Sequence, residues 1–387
     1  MNIEILNDFD ETKIYSAFDN IIIEFGLDTA PTSPIDFAEV IGLGFPVDLS
    51  PNPKGNFYFN FKLFSKSYIT KGNLQDKISY DVDILNADSF GKEDPDFMQG
   101  KNITIKVVLE DATEITKNFI LKYYRGVQDL ERFNHYLFVA QNDVIDYTAT
   151  SIYYWRGYPL DIGVFSKGLG TIGLILNNDI SAAGNESTEI LTYQLIDNYQ
   201  FTRVILTNGV DNIRSTNGTD LMQLINSISV KDYDQADFAV KIFNVVRMPE
   251  CEGHYLKWLN RSGDYSYFLF SNKYEESIDA SSIGSINNDF KNKEYNPSPS
   301  LSKGKTSNRE MTLFKSKVDE KMRYFLSDLI DSPKVYYYTG KKDTKASQYN
   351  WIEVNVTDNN FEMERPKENT WNYFLQIEFT KYKNQTI

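Results

Sequence analysis

Alternation of hydrophobic and polar residues with a period of two is the most frequent pattern along this chain. Ile103 to Leu109 alternates in this way, and Phe57 to Phe64 does so in part. Side chains two residues apart in a β-strand share one face, so each segment predicts a strand with a buried side. Between the predicted strands of the first 120 residues, loops are indicated by prolines, which are Pro31, Pro34, Pro46, Pro51 and Pro53.

The densest aromatic segment predicts a β-hairpin. Residues 251–274 read CEGHYLKWLNRSGDYSYFLFSNKY, which is two aromatic strands joined by a tight turn from Asn260 to Gly263. Both faces of the second strand are apolar. We therefore expect this strand to pack on one side and to meet a partner or a second sheet on the other.

One segment has helical spacing instead. Apolar residues recur at intervals of three and four between Val318 and Leu329, which predicts a helix at about residues 316–330 that ends before Pro333. The preceding residues, about 276–310, are rich in Ser, Asn and Lys and predict a long mobile loop or linker.

Together these patterns predict a mainly β protein with two or three β-sandwich-like domains and a few short helices. The 387 residues are too many for one ordinary domain. We place an N-terminal β domain at residues 1–118 and a central β-rich domain at residues 119–249. A C-terminal β domain at residues 250–387 carries the helix and the long loop.

The amino-acid composition restricts the classes of function that we expect for this chain. The 26 Tyr, 26 Phe and 4 Trp favour strands and interfaces. The net charge of −14 repels a phosphate backbone, so we expect no nucleic-acid partner. Apolar runs such as Ile172 to Leu176 are too short for a bilayer, so no membrane insertion is expected. The N-terminus has no signal-peptide pattern and Cys251 is the single cysteine, which suits a reducing compartment.

The candidate reactive motifs lack the neighbouring elements or ligands that their chemistry requires. Gly168 to Gly173 matches GxGxxG, but the following residues resemble a strand, so a glycine-rich hairpin is favoured over a dinucleotide site. Cys251 and His254 are the one close Cys/His pair, and a structural zinc site takes four ligands. We therefore predict no catalytic residue, no cofactor and no metal ligand, and expect that the chain is not an enzyme.

Three aromatic segments carry a resemblance to a known class of proteins. They are Tyr124–Gly126 with Ile152–Pro159, the hairpin Tyr255–Phe270, and Leu326–Tyr338 with Trp351–Asp358. Together they resemble virion tail proteins of tailed bacteriophages, and related prophages, from Bacteroidota-type hosts. The resemblance covers roughly residues 120–275 and 320–380 and carries over no catalytic residue.

The resemblance implies a β-rich structural protein of a phage tail, at the tail tip, baseplate or hub. Such a protein is made in the bacterial cytoplasm, is located in the virion, and has other copies of itself and neighbouring tail proteins as partners. Interfaces are enriched in aromatic anchors. The residues expected to form them here are Trp155, Tyr158, Tyr255, Trp258, Tyr265 and Tyr267.

Two alternatives remain open on the sequence. One is a glycan-binding β-sandwich module for host-surface recognition, since Trp155, Trp258, Trp351 and Trp371 are candidates for a carbohydrate platform as well as for the core. The other is a hydrolase with acidic catalytic residues on a β scaffold, because carboxylates are abundant and sequence spacing does not establish their separation in space.

Overall fold

A computed structural model confirms that the chain is mainly β. It describes residues 1–72, 74–81, 91–127, 136–137, 150–166, 170–177, 189–195, 200–213, 222, 227–232, 239–249, 251–287, 300–357 and 371–386. Two α-helices lie in this part of the chain, and neither is long and apolar enough to cross a bilayer.

The N-terminal part forms a two-sheet sandwich with one helix. Its elements are β1 (Ile3–Ile5), β2 (Ile14–Ser16), β3 (Ile22–Leu27), β4 (Ile35–Ile41), β5 (Val47–Leu49), β6 (Phe57–Asn60), α1 (Lys62–Ile69), β7 (Gly91–Glu93), β8 (Met98–Leu109) and β9 (Glu114–Tyr124). One sheet has the order β1-β3-β6, and a second contains β2-β9-β8-β4-β5. Both sheets contribute to one apolar core, to which the alternating residues Ile103, Ile105 and Val107 belong.

The predicted strand from Phe57 to Phe64 is wrong in its second half. Phe57 and Phe59 are buried as the alternation requires, but the strand ends at Asn60 and α1 begins at Lys62. The Asn60 side chain accepts a hydrogen bond from the Lys62 amide at 3.0 Å, which satisfies a free donor of the first helical turn. Leu63, placed with the buried face by the alternation, is 77% exposed on the helix.

The central part contributes two further sheets. Its elements are β10 (Tyr136–Leu137), β11 (Thr150–Tyr154), β12 (Pro159–Ser166), β13 (Gly170–Asn177), β14 (Glu189–Leu195), β15 (Gln200–Asn208), β16 (Ser227–Asp232) and β17 (Ala239–Arg247). β10 extends the N-terminal sheet beside β2, and the other strands form sheets of order β11-β17-β16-β13-β14 and β12-β15-β7. Gly170 begins a strand and not a helix, which agrees with the hairpin reading of the GxGxxG segment.

The C-terminal part forms a seven-stranded antiparallel sheet with one helix. Its elements are β18 (Gly253–Leu259), β19 (Tyr265–Ser271), β20 (Tyr274–Ser282), β21 (Ser285–Asn287), β22 (Ser300–Ser302), β23 (Gly304–Val318), α2 (Glu320–Ile330), β24 (Val335–Tyr338), a 3-10 helix (Gln348–Asn350), β25 (Trp351–Val356) and β26 (Trp371–Thr386). The sheet order is β19-β18-β24-β25-β26-β23-β20. The predicted hairpin is confirmed as β18 and β19. The predicted helix is confirmed over Glu320–Ile330 as α2, whose first turn is capped by Asp319, but its predicted start is wrong because β23 continues to Val318.

The predicted loop at residues 276–310 is wrong for most of the residues that the structure describes there, because they lie in strands. All nine residues of β20 pair with β23, and β21 pairs with β22. Residues 288–299 lie outside the described part. The polar composition misled the prediction because a ladder that is solvated on both sides needs no apolar alternation, although its backbone groups are still hydrogen-bonded.

A second apolar core extends from Leu74 to Phe379. It joins buried residues of β11, β12 and β15 to those of the C-terminal sheet and α2. The three-part division of the chain at residues 118 and 249 stays a prediction, and β9 passes through the first of these positions.

Candidate functional site

The six aromatic residues predicted to form an interface all lie in the second core. Trp155, Tyr158, Tyr255, Trp258, Tyr265 and Tyr267 are each no more than 4% exposed. A side chain buried to this degree by its own chain has no surface to offer another subunit. Their positions therefore do not support the interface prediction, and in this conformation they are core residues.

These aromatic rings pack on one another and on α2. The Trp155 ring meets Phe268 edge-on at a centroid distance of 5.1 Å, and Trp258 meets Phe325 of α2 at 5.2 Å. Tyr158 and Tyr255 lie 4.8 Å apart. The apolar second face of β19 is thus covered by the helix and by β11, not by a neighbouring protein.

A buried cluster of four charged side chains lies beneath the hairpin. Arg203 of β15 contacts Asp161 of β12 at 2.5 Å and Asp76 at 2.6 Å. Lys257 of β18 contacts the other oxygen of Asp76 at 2.5 Å. The four side chains are at most 2% exposed, and two positive charges balance two negative ones.

The local β structure brings these charges together. The register of β12 and β15 pairs Gly163 with Arg203, which makes Asp161 a diagonal neighbour on the same face. β12 is buried on both faces from Pro159 to Val164, so the Asp161 side chain is enclosed like its apolar neighbours, and a bulge separates it from Leu160. Asp76 belongs to an N-terminal segment without regular structure, and its side chain also accepts the Ile78 amide at 3.0 Å.

Aromatic groups complete the surroundings of the cluster. The hydroxyl groups of Tyr80 and Tyr267 accept hydrogen bonds from Arg203 at 2.9 and 3.0 Å. The Lys257 Nζ lies 4.2 Å from the centroid of the Trp351 ring, a cation–π geometry. Each cation therefore has both a carboxylate and an aromatic partner in place of water.

Within the cluster, the opposite charges offset the effect of burial on the pKa values. Burial alone would raise the pKa of Asp76, but the positive charges of Arg203 and Lys257 hold that pKa well below its usual range. Burial by itself would lower the pKa of Arg203, but the negative charges of Asp161 and Asp76 raise that pKa above its ordinary value. Burial lowers the pKa of Lys257 while Asp76 acts in the opposite direction.

This arrangement is structural and not catalytic in character. Asp76 and Asp161 are fully engaged with cations and closed to solvent, so they cannot reach a substrate. The adjoining cavity, lined in part by Asp161, Asp264 and Tyr267, has a volume of only about 60 Å³. That space is small beside the several hundred Å³ of ordinary ligand pockets.

A second buried ion pair ties the hairpin turn to the N-terminal part. Arg125, just after β9, contacts Asp94 at 2.6 Å and donates from Nε to the carbonyl oxygen of Gly263 at 2.7 Å. Gly263 has a φ of +81°, and a Cβ there would lie 2.6 Å from the Arg125 carbonyl oxygen. Glycine is therefore required at this turn both by the backbone conformation and by close packing.

The Cys251 and His254 pair does not form a reactive site. Cys251 is exposed, whereas His254 is buried with Nδ1 2.8 Å from the Tyr337 hydroxyl. Across the described residues, no group of three or more His, Cys, Asp or Glu side chains is arranged to hold a metal ion.

The C-terminal sheet ends in the arm, defined here as residues 274–287 and 300–318. Its strand β20 is the terminal strand of the seven-stranded sheet, and all nine of its residues are exposed. Exposed apolar side chains lie along the arm, and the most exposed of them are Ile278 at 64% and Ile286 at 53%. At about 3.3 Å per residue, β20 presents an edge roughly 30 Å long.

The sequence contains a weak indication of the charged cluster that our prediction did not use. Lys257 interrupts an otherwise apolar strand, and Arg203 and Asp161 occupy similar positions in theirs. A charge inside an apolar strand indicates a buried ion pair or a functional group. Asp76 carried no such signal, because its neighbours are polar.

Comparisons with known proteins identify no family for this chain. No family model matches it and no curated protein matches it. Among solved structures, it is similar to fibronectin(III)-like modules of Clostridium thermocellum CbhA, with 8% identity over 63% of this chain and 94% of that chain and a TM-score of 0.19.

Two further solved structures have the same low level of similarity. One is titin A168169, with 10% identity over 64% of this chain and 100% of that chain and a TM-score of 0.20. The other is from a 1.5-MDa bacterial ice-binding adhesin, with 10% identity over 97% of this chain, 96% of that chain and a TM-score of 0.19. Similarity at this level does not bear on function.

Proposed function

We propose that this chain is a non-enzymatic structural subunit of a phage tail, at the tail tip, baseplate or hub. In this proposal it resides in the virion and acts through contacts with other copies of itself and with neighbouring tail proteins. The resemblance of three aromatic segments to phage tail proteins motivates the proposal. The observation that carries it is the fully exposed edge strand β20 of the arm.

An exposed edge strand is suited to assembly. It presents backbone donors and acceptors that a strand of another chain can pair with, and such pairing extends the sheet across the contact. In the described part of the sheet β20 has a neighbour on one side, β23. Ile278 adds apolar surface that a partner would cover.

A contact of this kind can also lead to a closed assembly. A strand edge that pairs with a different surface of the next copy makes a heterologous contact, which generates a ring when the rotation between copies closes. The buried aromatic core and the two ion-pair sites would then keep each subunit rigid while the arm makes the contacts.

The test is the oligomeric mass of the protein across a concentration series, measured by mass photometry together with negative-stain imaging. We expect discrete rings or one higher oligomer for the wild type. Ile278→Lys places a charge on the arm edge and should shift the population toward monomer. A monomer at every concentration would contradict self-assembly.

Ile120→Lys is the matched control. Ile120 is also an exposed strand isoleucine, at 50% exposure, but it lies on β9 inside the N-terminal sheet. Its substitution should leave the oligomer intact. Equal behaviour of the two variants, with unchanged thermal unfolding, would show that the arm edge is not the contact.

A further inference from the structure

An aromatic groove lies on the solvent-facing side of the C-terminal sheet where β20, β23 and β26 run side by side. It has a volume of about 350 Å³. The residues that line it are Lys273, Tyr274, Glu275, Thr312, Phe314 and Phe374. This volume lies within the range of about 300–1,000 Å³ that is usual for small-molecule sites.

The strand register builds the groove. Phe314 of β23 pairs with Phe374 of β26, and Thr312 pairs with Glu275 of β20. Side chains of directly paired residues share one face of a sheet. The intervening residue Leu313 points to the other face, where it is fully buried in the second core.

Two phenyl rings form the floor of the groove. The centroids of Phe314 and Phe374 are 5.1 Å apart with an interplanar angle of 48°. Phe374 is 57% exposed, so much of its ring surface is in contact with water. Covering this surface with an apolar face of a ligand is favourable because it removes apolar area from water.

The rim of the groove is polar but has no net charge. Lys273 supplies donors, Glu275 supplies acceptors, and Thr312 supplies a hydroxyl group that does both. One cation beside one anion gives no preference for a phosphate or another strongly charged ligand. This combination suits a molecule that has apolar C–H faces together with many hydroxyl groups.

We propose that this groove binds a neutral oligosaccharide. A sugar ring lies with its C–H face on Phe374 and Phe314, and its hydroxyl groups exchange hydrogen bonds with Lys273 and Glu275. The groove includes Tyr274 and Glu275 at the start of β20, whereas Ile278, the side chain chosen to test assembly, lies further along the same strand and does not line the groove.

The experiment is isothermal titration calorimetry of the full chain with a panel of neutral trisaccharides: maltotriose, cellotriose, mannotriose and chitotriose. We expect saturable binding of at least one of them. Phe374→Ala should weaken that binding by about tenfold or more, which corresponds to about 1.4 kcal/mol. Glu275→Gln keeps the size and shape of the exposed rim residue and should also weaken binding.

Tyr349→Ala is the matched control, because Tyr349 is an aromatic residue with 84% exposure outside the groove. Its affinity for the sugar should equal that of the wild type. Failure of all four sugars to bind up to their solubility limits would overturn the proposal. Equal affinities of the wild type and Phe374→Ala would also overturn it, as would a change in oligomeric mass in place of sugar affinity, which would indicate a protein contact.

Discussion

Removing the Asp76 carboxylate tests whether the buried charge cluster holds the fold together. In Asp76→Asn the side chain keeps its size, but Arg203 and Lys257 lose their shared anion. Only Asp161 then remains to balance two buried cations. The substitution therefore leaves a net positive charge in a site closed to solvent.

The expected loss follows from the burial of these groups. Breaking a buried ion pair by removing one partner costs about 3–5 kcal/mol, because the remaining charge stays desolvated. Lys257→Met should cost a similar amount. The double variant Asp76→Asn with Lys257→Met leaves the neutral Arg203 and Asp161 pair, so it should be more stable than the sum of the single losses predicts.

The assay is urea-induced unfolding followed by tryptophan fluorescence, which reports on Trp351 beside Lys257. Asp96→Asn is the matched control. Its partner Lys77 lies next to Asp76 in the sequence, and the Asp96–Lys77 distance is 2.6 Å, but the two side chains are 37% and 64% exposed. An exposed pair of this kind contributes about 0–1 kcal/mol.

The pH dependence gives an independent check of the same reasoning. The folded-state pKa of Asp76 lies below its unfolded value of 3.8, so its contribution to stability is complete above about pH 4 and is lost as the pH falls further. Asp76→Asn should lack this part of the acid sensitivity. A stability change as small as that of Asp96→Asn, with unchanged acid sensitivity, would refute the structural role of the cluster.

Three further outcomes follow from single positions. Burial lowers the folded-state pKa of His254 below its unfolded value of 6.5, so stability should fall as the pH drops through 6.5, and His254→Gln should flatten that part of a urea-midpoint series. Gly263→Ala should cost more than about 1 kcal/mol in the same assay, because the φ of +81° and the Arg125 carbonyl oxygen both oppose a Cβ. Trp258→Ala should lower stability by about 3–5 kcal/mol, since this fully buried ring packs on Phe325; a stable variant with weakened assembly would restore the interface interpretation.

Local sequence patterns were sufficient to predict the strands and the helix that have one periodic apolar face. The alternation of Ile103, Ile105 and Val107 predicted a strand with one buried face, and the structure has that strand as β8. The aromatic hairpin and α2 were predictable for the same reason. Each has a turn or cap signal next to a periodic apolar face, so the information lies within a few residues.

Local patterns failed where burial and pairing depend on distant parts of the chain. The solvated strand β20 has polar residues on both faces, and its pairing with β23 has no signal in its own sequence. The six aromatic residues predicted as interface anchors look the same in sequence whether they bury against their own chain or against a partner. The tertiary structure places them in the core.

The sequence by itself determined a mainly β, acidic, aromatic-rich chain with an aromatic hairpin and one amphipathic helix, because these properties follow from composition and short-range periodicity. Only the tertiary structure decided which charges are buried and which edges are open. Asp76 meets Arg203 across 127 residues and Lys257 across 181 residues, and Phe314 meets Phe374 through strand register. Contacts at such separations depend on how whole sheets pack, and that packing is a property of the complete fold.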